Sequence, residues 1–167
     1  DGGSTWLPAG LDGSVVVALA LSPAFADDRL IFATTGLWPA GYSVHRSADE
    51  GDSWQDITPA WTGLPSPPGL AISPDFALDR TLYVAGGTQT FVSTDGGDTF
   101  VQPGGWFATH AVAQIAFSPA YAVDRTLFAR VPGEGLFKSV DGGAAWNPAG
   151  PGVDLSTFAI SPDYAAD

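Results

Sequence analysis

Apolar residues occur along the chain in short runs that glycine and proline interrupt, a pattern that predicts strands. The stretch from residue 69 to residue 103 contains four such runs, GLAIS (69–73), RTLYVAGG (80–87), TFVST (90–94) and DTFVQP (98–103). The second run is rich in β-branched and aromatic residues, and proline ends the fourth. No segment keeps the 3.6-residue period of an amphipathic helix over a useful length. We therefore expect an all-β chain with almost no helix.

Two sequence motifs alternate along the chain at nearly one period. The first motif is acidic, contains glycine and ends on an aromatic residue, and its copies lie about 45 residues apart. It reads SADEGDSW (47–54), STDGGDTF (93–100) and SVDGGAAW (139–146), and the chain opens on the same motif without its first two residues, DGGSTW. The second motif, SPAFADDR and its relatives, begins at Ser22, Ser73, Ser118 and Ser161. Four strands in each repeat of this length are typical of a β-propeller blade.

The repeat predicts how the chain is organised. We expect three complete four-stranded blades, at about residues 14–59, 67–103 and 111–150, and a split blade formed from residues 1–10 and 153–167. The split blade would contain its innermost and outermost strands, which are not neighbours in a blade and cannot pair. A single chain should therefore be an open β-propeller, its free edge covered by further repeats of the same protein or by a second copy.

The acidic stretches are expected to form the turns between the third and fourth strands. A short carboxylate can accept hydrogen bonds from backbone N–H groups of a turn, and glycine can adopt a positive φ. The closing aromatic can pack between sheets, so Trp6, Trp54 and Trp146 are expected in the core. A metal loop is the alternative for SADEGDSW, but the stretch lacks the ordered D-x-D-x-D-G run of a calcium loop. The residues assigned to these turns are Asp1, Ser47, Asp49, Gly51, Trp54, Ser93, Asp95, Gly97, Phe100, Ser139, Asp141, Gly143 and Trp146.

The pattern S-x-D-x-G-x-[ST]-[WF] resembles the Asp-box, the bacterial neuraminidase-type repeat of sialidases, sortilin and photosystem II stability factor-like propellers. Residues 47–54 and 93–100 fit it fully, whereas residues 139–146 depart from it at Ala145, where serine or threonine is usual. The resemblance covers nearly the whole chain. It implies a β-propeller in which the boxes are architectural and lie away from the ligand-binding face.

The resemblance also raises the question of sialidase chemistry, which in that family needs an arginine triad, a tyrosine nucleophile with its glutamate, and an aspartate acid/base. Arg29, Arg80 and Arg125 occupy one repeat position, and equivalent positions on successive blades do not converge. Glycosidic hydrolysis also needs two facing carboxylates. Nothing in the spacing places Glu134 opposite another carboxylate, for which Asp12, Asp56 and Asp154 are the candidates. We therefore expect no catalytic residue.

Composition excludes several classes of partner and cofactor. The 167-residue chain has a formal charge of -12 with only 6 Lys+Arg, so nucleic acid and anionic membranes would repel it. It contains no Cys, which excludes disulfides, thiolate metal sites and a cysteine nucleophile. His45 and His110 are isolated, so no metal or cofactor is expected. The longest apolar run, VVVALAL (15–21), is too short to span a bilayer.

Aromatic residues that do not repeat predict a binding face. They lie in the strand 2–3 and strand 4–1 connections of the first two blades, whereas the corresponding loops of the third blade carry no aromatic residue. Flat rings suit a protein partner or the face of a neutral sugar. We favour a further copy or further repeats of the same protein as the partner, with a neutral glycan as the alternative. The residues of this face are Trp38, Tyr42, Trp61, Trp106, Phe107 and His110.

The sequence thus predicts a non-catalytic structural or interaction module of a secreted or cell-surface repeat protein, able to assemble with itself, including as a filament. Two alternatives stay open. One is a fragment of a sialidase-like or xyloglucanase-like glycoside hydrolase, and the other is a scaffold similar to the photosystem assembly factors.

Overall fold

The computed structural model describes residues 4–37, 41–61, 68–150, 152 and 155–164. Within these ranges the chain is all-β, built from three antiparallel sheets of three or four strands with a few one-turn helices. No helix in the described part of the chain is long and apolar enough to cross a membrane.

Each sheet is formed by one continuous part of the chain, and the strands lie side by side in chain order. The first sheet contains β1 (Val16–Leu21), β2 (Ile31–Leu37), β3 (Gly41–Ser47) and β4 (Gln55–Asp56). The second contains β5 (Gly69–Ile72), β6 (Leu82–Gly86) and β7 (Gln89–Ser93). The third contains β8 (Gln114–Phe117), β9 (Leu127–Val131), β10 (Gly135–Ser139) and β11 (Asn147–Pro148).

The fourth strand predicted at residues 98–103 is reduced to a single bridge. Val92 and Val101 exchange backbone hydrogen bonds of 2.9 and 3.0 Å, and no regular strand follows. Pro103 cannot donate a ladder hydrogen bond, and Gly104 has a positive φ of 66°, so the backbone turns away from the sheet. The second sheet therefore has three strands.

A one-turn helix that sequence analysis missed joins the first and second strands of every sheet. The helices are α1 (Phe25–Asp28), α2 (Phe76–Asp79) and α3 (Tyr121–Asp124). In α2, the Ser73 hydroxyl donates to Asp79 at 2.6 Å, and the other Oδ of Asp79 accepts from the Thr81 N–H at 2.8 Å. The same bonds occur around α1 and α3. Local side-chain hydrogen bonds define these turns, so an apolar helical period is absent from their sequence.

The sheets pack face to face in chain order, with β5 between β1 and β8. One apolar cluster lies between the first and second sheets and contains the buried residues Phe32, Val44, Ile57, Phe76, Leu82 and Val84. A second cluster lies between the second and third sheets and contains residues such as Ala71, Tyr83, Ile115, Leu127 and Trp146. The second sheet is therefore covered on both faces.

The predicted first strand at residues 156–161 is absent, although the segment 155–164 does lie against the third sheet. Gln114 Nε2 donates to the carbonyl oxygen of Phe158 at 2.8 Å, and Arg130 donates to that of Leu155 at 2.9 Å. These bonds come from side chains, so the segment joins no β-ladder. Trp6, which was expected in the core, is 88% exposed. The described residues 4–10 form no strand.

Candidate functional sites: acidic turns and aromatic clusters

The three acidic turns (residues 47–54, 93–100 and 139–146) share one hydrogen-bond arrangement, seen clearly in the second turn. Ser93 is 1% exposed; its hydroxyl accepts from the Gly97 N–H at 2.8 Å and donates to Asp95 at 2.7 Å. Asp95 in turn accepts from the N–H of Thr99 at 2.9 Å and from its hydroxyl at 2.5 Å. The serine and aspartate therefore tie both ends of the turn together.

The first turn repeats these bonds, and the third lacks one of them. In the first turn, Asp49 accepts from the N–H and the hydroxyl of Ser53. In the third, Asp141 accepts from the N–H groups of Ala144 and Ala145 at 3.0 Å each, and residue 145 has no hydroxyl to donate. The departure of Ala145 from the repeat thus removes one hydrogen bond from that turn.

These hydrogen bonds stabilise the ionised form of each aspartate. The hydroxyl of Thr99, and then its N–H, lower the pKa of Asp95 below the ordinary value. Ser53 lowers the pKa of Asp49 in the same way. The Ala145 N–H is the main cause of the lowered pKa of Asp141. All three carboxylates are therefore charged and engaged within their own turns.

Glycine and the closing aromatic complete each turn by close packing. Gly97 has a φ of 91°, and a Cβ at this position would lie 2.7 Å from Ile57 Cδ1. Where the aromatic is tryptophan, its indole N–H donates back to the glycine carbonyl, from Trp54 to Gly51 and from Trp146 to Gly143 at 3.0 Å. Phe100 has no such donor and packs against the first apolar cluster.

Each acidic turn is also bonded to the short helix of the same sheet. The helices end at arginines with left-handed backbone, at φ values of 51 to 56° for Arg29, Arg80 and Arg125. Their carbonyl oxygens accept from turn N–H groups, at 3.0 Å from Gly96 and at 2.9 Å from Gly142. Each arginine thus lies at its own turn, and the three form no triad. Within the described ranges, no three His, Cys, Asp or Glu side chains form a group able to hold a metal ion.

Those aromatics of the predicted binding face that lie in the described residues are buried or half-buried, and Trp61 and Trp106 pack on different apolar clusters. Tyr42 and Phe107 are 8% and 4% exposed. Trp61 packs on the first cluster, and its indole N–H donates to the Tyr42 carbonyl oxygen at 3.1 Å. Trp106 packs on the second cluster. Trp38 lies outside the described residues. Trp61 and Trp106 therefore pack on the core and do not form one flat surface.

Trp106 is the centre of the second of these clusters. Its ring stacks on Trp146 at 4.7 Å with an interplanar angle of 18°, and on His110 at 4.2 Å with an angle of 14°. The other side of His110 faces Glu134, at 3.6 Å between Nε2 and the carboxylate. The turn η1 (Gly105–Ala108) positions Trp106 for these contacts. The Trp106 ring, which lies in the loop after the second acidic turn, therefore contacts the third acidic turn.

A groove of about 360 Å³ between β4 and the second acidic turn contains two carboxylates, Asp56 and Asp98. Asp56 accepts from the N–H and hydroxyl of Thr58, and Asp98 accepts from Arg46 at 2.7 Å. Burial raises the pKa of Asp56, but the Thr58 hydrogen bonds and the nearby His45 together lower it below the ordinary value. The proximity of Asp98 to Asp56 was not predictable from the sequence, because only the packing of two sheets brings them to one groove.

Comparison with known proteins relates the fold to β-propellers. The chain superposes on the GH74 enzyme of Niastella koreensis with a TM-score of 0.62 and 22% identity, over 81% of this chain and 22% of that one. It superposes on the GH74 xyloglucanase of Xanthomonas campestris with a TM-score of 0.57 and 22% identity, over 78% and 23% of the two chains. A structure of YCF48 bound to D1 peptide gives a TM-score of 0.49 and 18% identity, over 89% and 44%. No protein-family model matches the sequence, and no curated protein matches it.

The two GH74 neighbours indicate a β-propeller fold for the chain, and at this identity they indicate the fold alone. The chain spans less than a quarter of the length of the two GH74 chains. The three stacked sheets thus correspond to part of a larger architecture in those enzymes.

Proposed function

We propose that the chain is a non-catalytic interaction module made of consecutive Asp-box blades, part of a secreted or cell-surface repeat protein. The observation that carries this proposal is the use of the acidic-turn carboxylates. Asp49, Asp95 and Asp141 each accept hydrogen bonds within their own turns and have lowered pKa values. A residue that is repeated once per sheet and used locally stabilises the repeat and does not serve one shared reaction.

The Asp-box assignment rests on both sequence and geometry. The serine, aspartate and glycine of the pattern are the three residues that hold each turn, and the closing aromatic packs over it. On this assignment the three sheets are the blades expected at residues 14–59, 67–103 and 111–150. A repeat array of this kind presents extended surfaces to partners, whereas its interior serves to join the blades.

A xyloglucanase-like hydrolase fragment is the second candidate, and the groove between Asp56 and Asp98 is the observation that favours it. A glycosidase needs one carboxyl group that stays protonated near neutral pH to act as general acid. The lowered pKa of Asp56 argues against that role, and Asp98 is engaged by Arg46. The groove is therefore better explained as a joint between two sheets.

Hydrolysis assays separate the two candidates. The chain is incubated with xyloglucan, mixed-linkage glucan and a sialyl-lactose, and released reducing ends or sialic acid are quantified beside a xyloglucanase as positive control. We expect no release above buffer. Turnover that disappears in a variant carrying Asp56→Asn and Asp98→Asn would overturn the proposal in favour of the hydrolase. An array of neutral glycans, measured in parallel, identifies binding without turnover.

A further inference from the structure

The first sheet carries an apolar surface that the described residues leave uncovered. We call it the leading face, and it comprises Leu19, Leu21 and Phe25. Leu19 and Leu21 are 58% and 53% exposed.

In the second sheet the equivalent residues, Leu70 and Ile72, pack against the first sheet. In the third sheet they are Ile115 and Phe117, which pack against the second sheet. The leading face thus has the chemistry of a sheet joint, but the described residues place no sheet in front of it.

The opposite end of the stack has the complementary surface. We call it the trailing face, and it comprises Phe128, Arg130 and Lys138 of the third sheet. Residues 155–164 cover it, with Phe158 and Tyr164 at 6.4 and 5.4 Å from the Phe128 ring centroid. Counted from the serine of each SP motif, Phe158 corresponds to Leu19 and Tyr164 to Phe25. The segment therefore places on the trailing face the same positions that the leading face exposes.

The two faces also match in charge. At the joint between the first and second sheets, Arg46 Nη1 contacts the Gly96 carbonyl oxygen at 2.8 Å and Asp98 at 2.7 Å. Counted from the serine of each acidic turn, Lys138 corresponds to Arg46 and Asp52 to Asp98. If a leading face docked on a trailing face in this geometry, Lys138 and Asp52 would form the equivalent ion pair. The joint between the second and third sheets has Val92 and Ala144 at these positions, so the pair is not a general feature of the repeat.

We propose that the chain binds a second copy of itself head to tail, with the leading face of one copy replacing residues 155–164 on the trailing face of the other. The occupant is a second copy because one chain carries both surfaces and both charges, and because its own sheets already use this joint twice. Residues 155–164 are held by side chains and lie outside any β-ladder, which makes them a displaceable cover. Contacts of this type are heterologous and continue into rings or filaments. The inference specifies the partner of the interaction module proposed above and rests on it.

Sedimentation velocity across a concentration series, with the full chain, tests the docking. A variant carrying Leu19→Glu and Leu21→Glu should stay monomeric where the wild type associates. Leu78→Glu is the matched control, since Leu78 is 86% exposed and lies outside both faces; it should associate as the wild type does. Phe158→Ala should associate more strongly, because it weakens the cover. A synthetic peptide of residues 155–164 should inhibit association, and a scrambled peptide should not.

Charge reversal then identifies the geometry. Lys138→Glu and Asp52→Lys should each raise the dissociation constant by about tenfold, as expected for loss and repulsion of one interfacial pair. The two changes combined in one chain should restore association to near the wild-type value. Circular dichroism and thermal unfolding of every variant check that the fold is intact.

Two results would overturn the docking. One is a monomer for both the wild type and Phe158→Ala at the highest soluble concentration. The other is association that Leu19→Glu with Leu21→Glu abolishes but Lys138→Glu leaves unchanged, which would indicate face-to-face pairing of two leading faces. Either result leaves the non-catalytic module standing if the hydrolysis assays are negative. Turnover in those assays would refute the non-catalytic module. The association data would then still test the docking on their own.

Discussion

Phe32 and Phe76 meet edge to face, with ring centroids 5.5 Å apart and planes at 76°. Phe32 belongs to β2 of the first sheet, and Phe76 begins the short helix of the second, so the contact joins two successive sheets. Phe128 and Tyr164 repeat this geometry at 5.4 Å and 89° at the end of the third sheet. In the second, third and fourth SP motifs the aromatic residue therefore packs on the sheet that precedes it.

Truncating Phe76 should be costly. Phe76 is 1% exposed, and Phe76→Ala should lower the free energy of unfolding by about 3–5 kcal/mol, as for other buried phenylalanines. Phe25 occupies the same repeat position, and within the described ranges no sheet lies in front of it, so Phe25→Ala measured in monomeric protein should cost about 1 kcal/mol or less. Urea unfolding followed by tryptophan fluorescence gives both values. Equal costs for the two variants would contradict the repeat-joint assignment.

Loss of the buried Ser93 hydroxyl in the second acidic turn should lower the free energy of unfolding by more than the small size of the group suggests. Ser93→Ala leaves the Gly97 N–H buried without its acceptor and should cost about 1–3 kcal/mol of unfolding free energy. Exposed Ser156 is the matched control, and Ser156→Ala should change stability by about 0.5 kcal/mol or less. Both are measured by urea denaturation at neutral pH. A Ser93→Ala variant as stable as the Ser156 control would refute the role given to this hydroxyl.

The third acidic turn can be repaired. Ala145→Thr should supply the hydroxyl that donates to the aspartate in the other two turns, and should raise the melting temperature. In a background of Asp141→Asn the same substitution should gain much less, because the charged acceptor is gone. Differential scanning calorimetry of the four proteins completes the double-mutant cycle. Equal gains in both backgrounds would mean that the threonine acts through something other than Asp141.

Stability should depend on pH through the acidic turns, with a definite sign. The folded-state pKa values of Asp49, Asp95 and Asp141 lie below the ordinary value of 3.8, so the unfolded chain binds more protons in the interval between. Their contribution is therefore fully present above pH 3.8 and is lost as pH falls below it towards the folded pKa values. Melting temperatures measured in steps of half a pH unit should fall below pH 4. A variant with all three aspartates changed to asparagine should show a shallower fall; an unchanged slope would contradict the assignment.

The strands were predictable where local pattern alone decides them. The runs at residues 69–73, 80–87 and 90–94 appear as β5, β6 and β7 within about two residues, because glycine and serine bound each apolar run. The fourth run, at residues 98–103, was predicted to form a strand but forms only one bridge. Pro103 and the glycines after it prevent the ladder hydrogen bonds, and the apolar pattern alone does not show this. The short helices were missed because hydrogen bonds between serine, aspartate and backbone define them, and these leave no periodic signal.

The location of the loop aromatics was not predictable from the sequence. Repeat comparison shows that Trp61 and Trp106 do not recur, but it cannot show whether their loops extend outwards or fold back. In the structure Trp106 packs inwards and stacks on Trp146, which belongs to a different repeat. That contact joins residues distant in sequence. The proximity of Asp98 to Asp56 was missed for the same reason.

The serial stacking of the sheets has a consequence for how the protein opens. Because each sheet is formed by a local part of the chain and packs mainly against its neighbours in the stack, opening can begin at either end and proceed inwards without crossing the whole molecule. The amides of β6, whose residues are all buried, should then exchange with deuterium last, and those of β1 first. A ligand or subunit that covers β1 would slow exchange at this end of the stack as well. The exchange rate of the β1 amides would then show whether the leading face is covered.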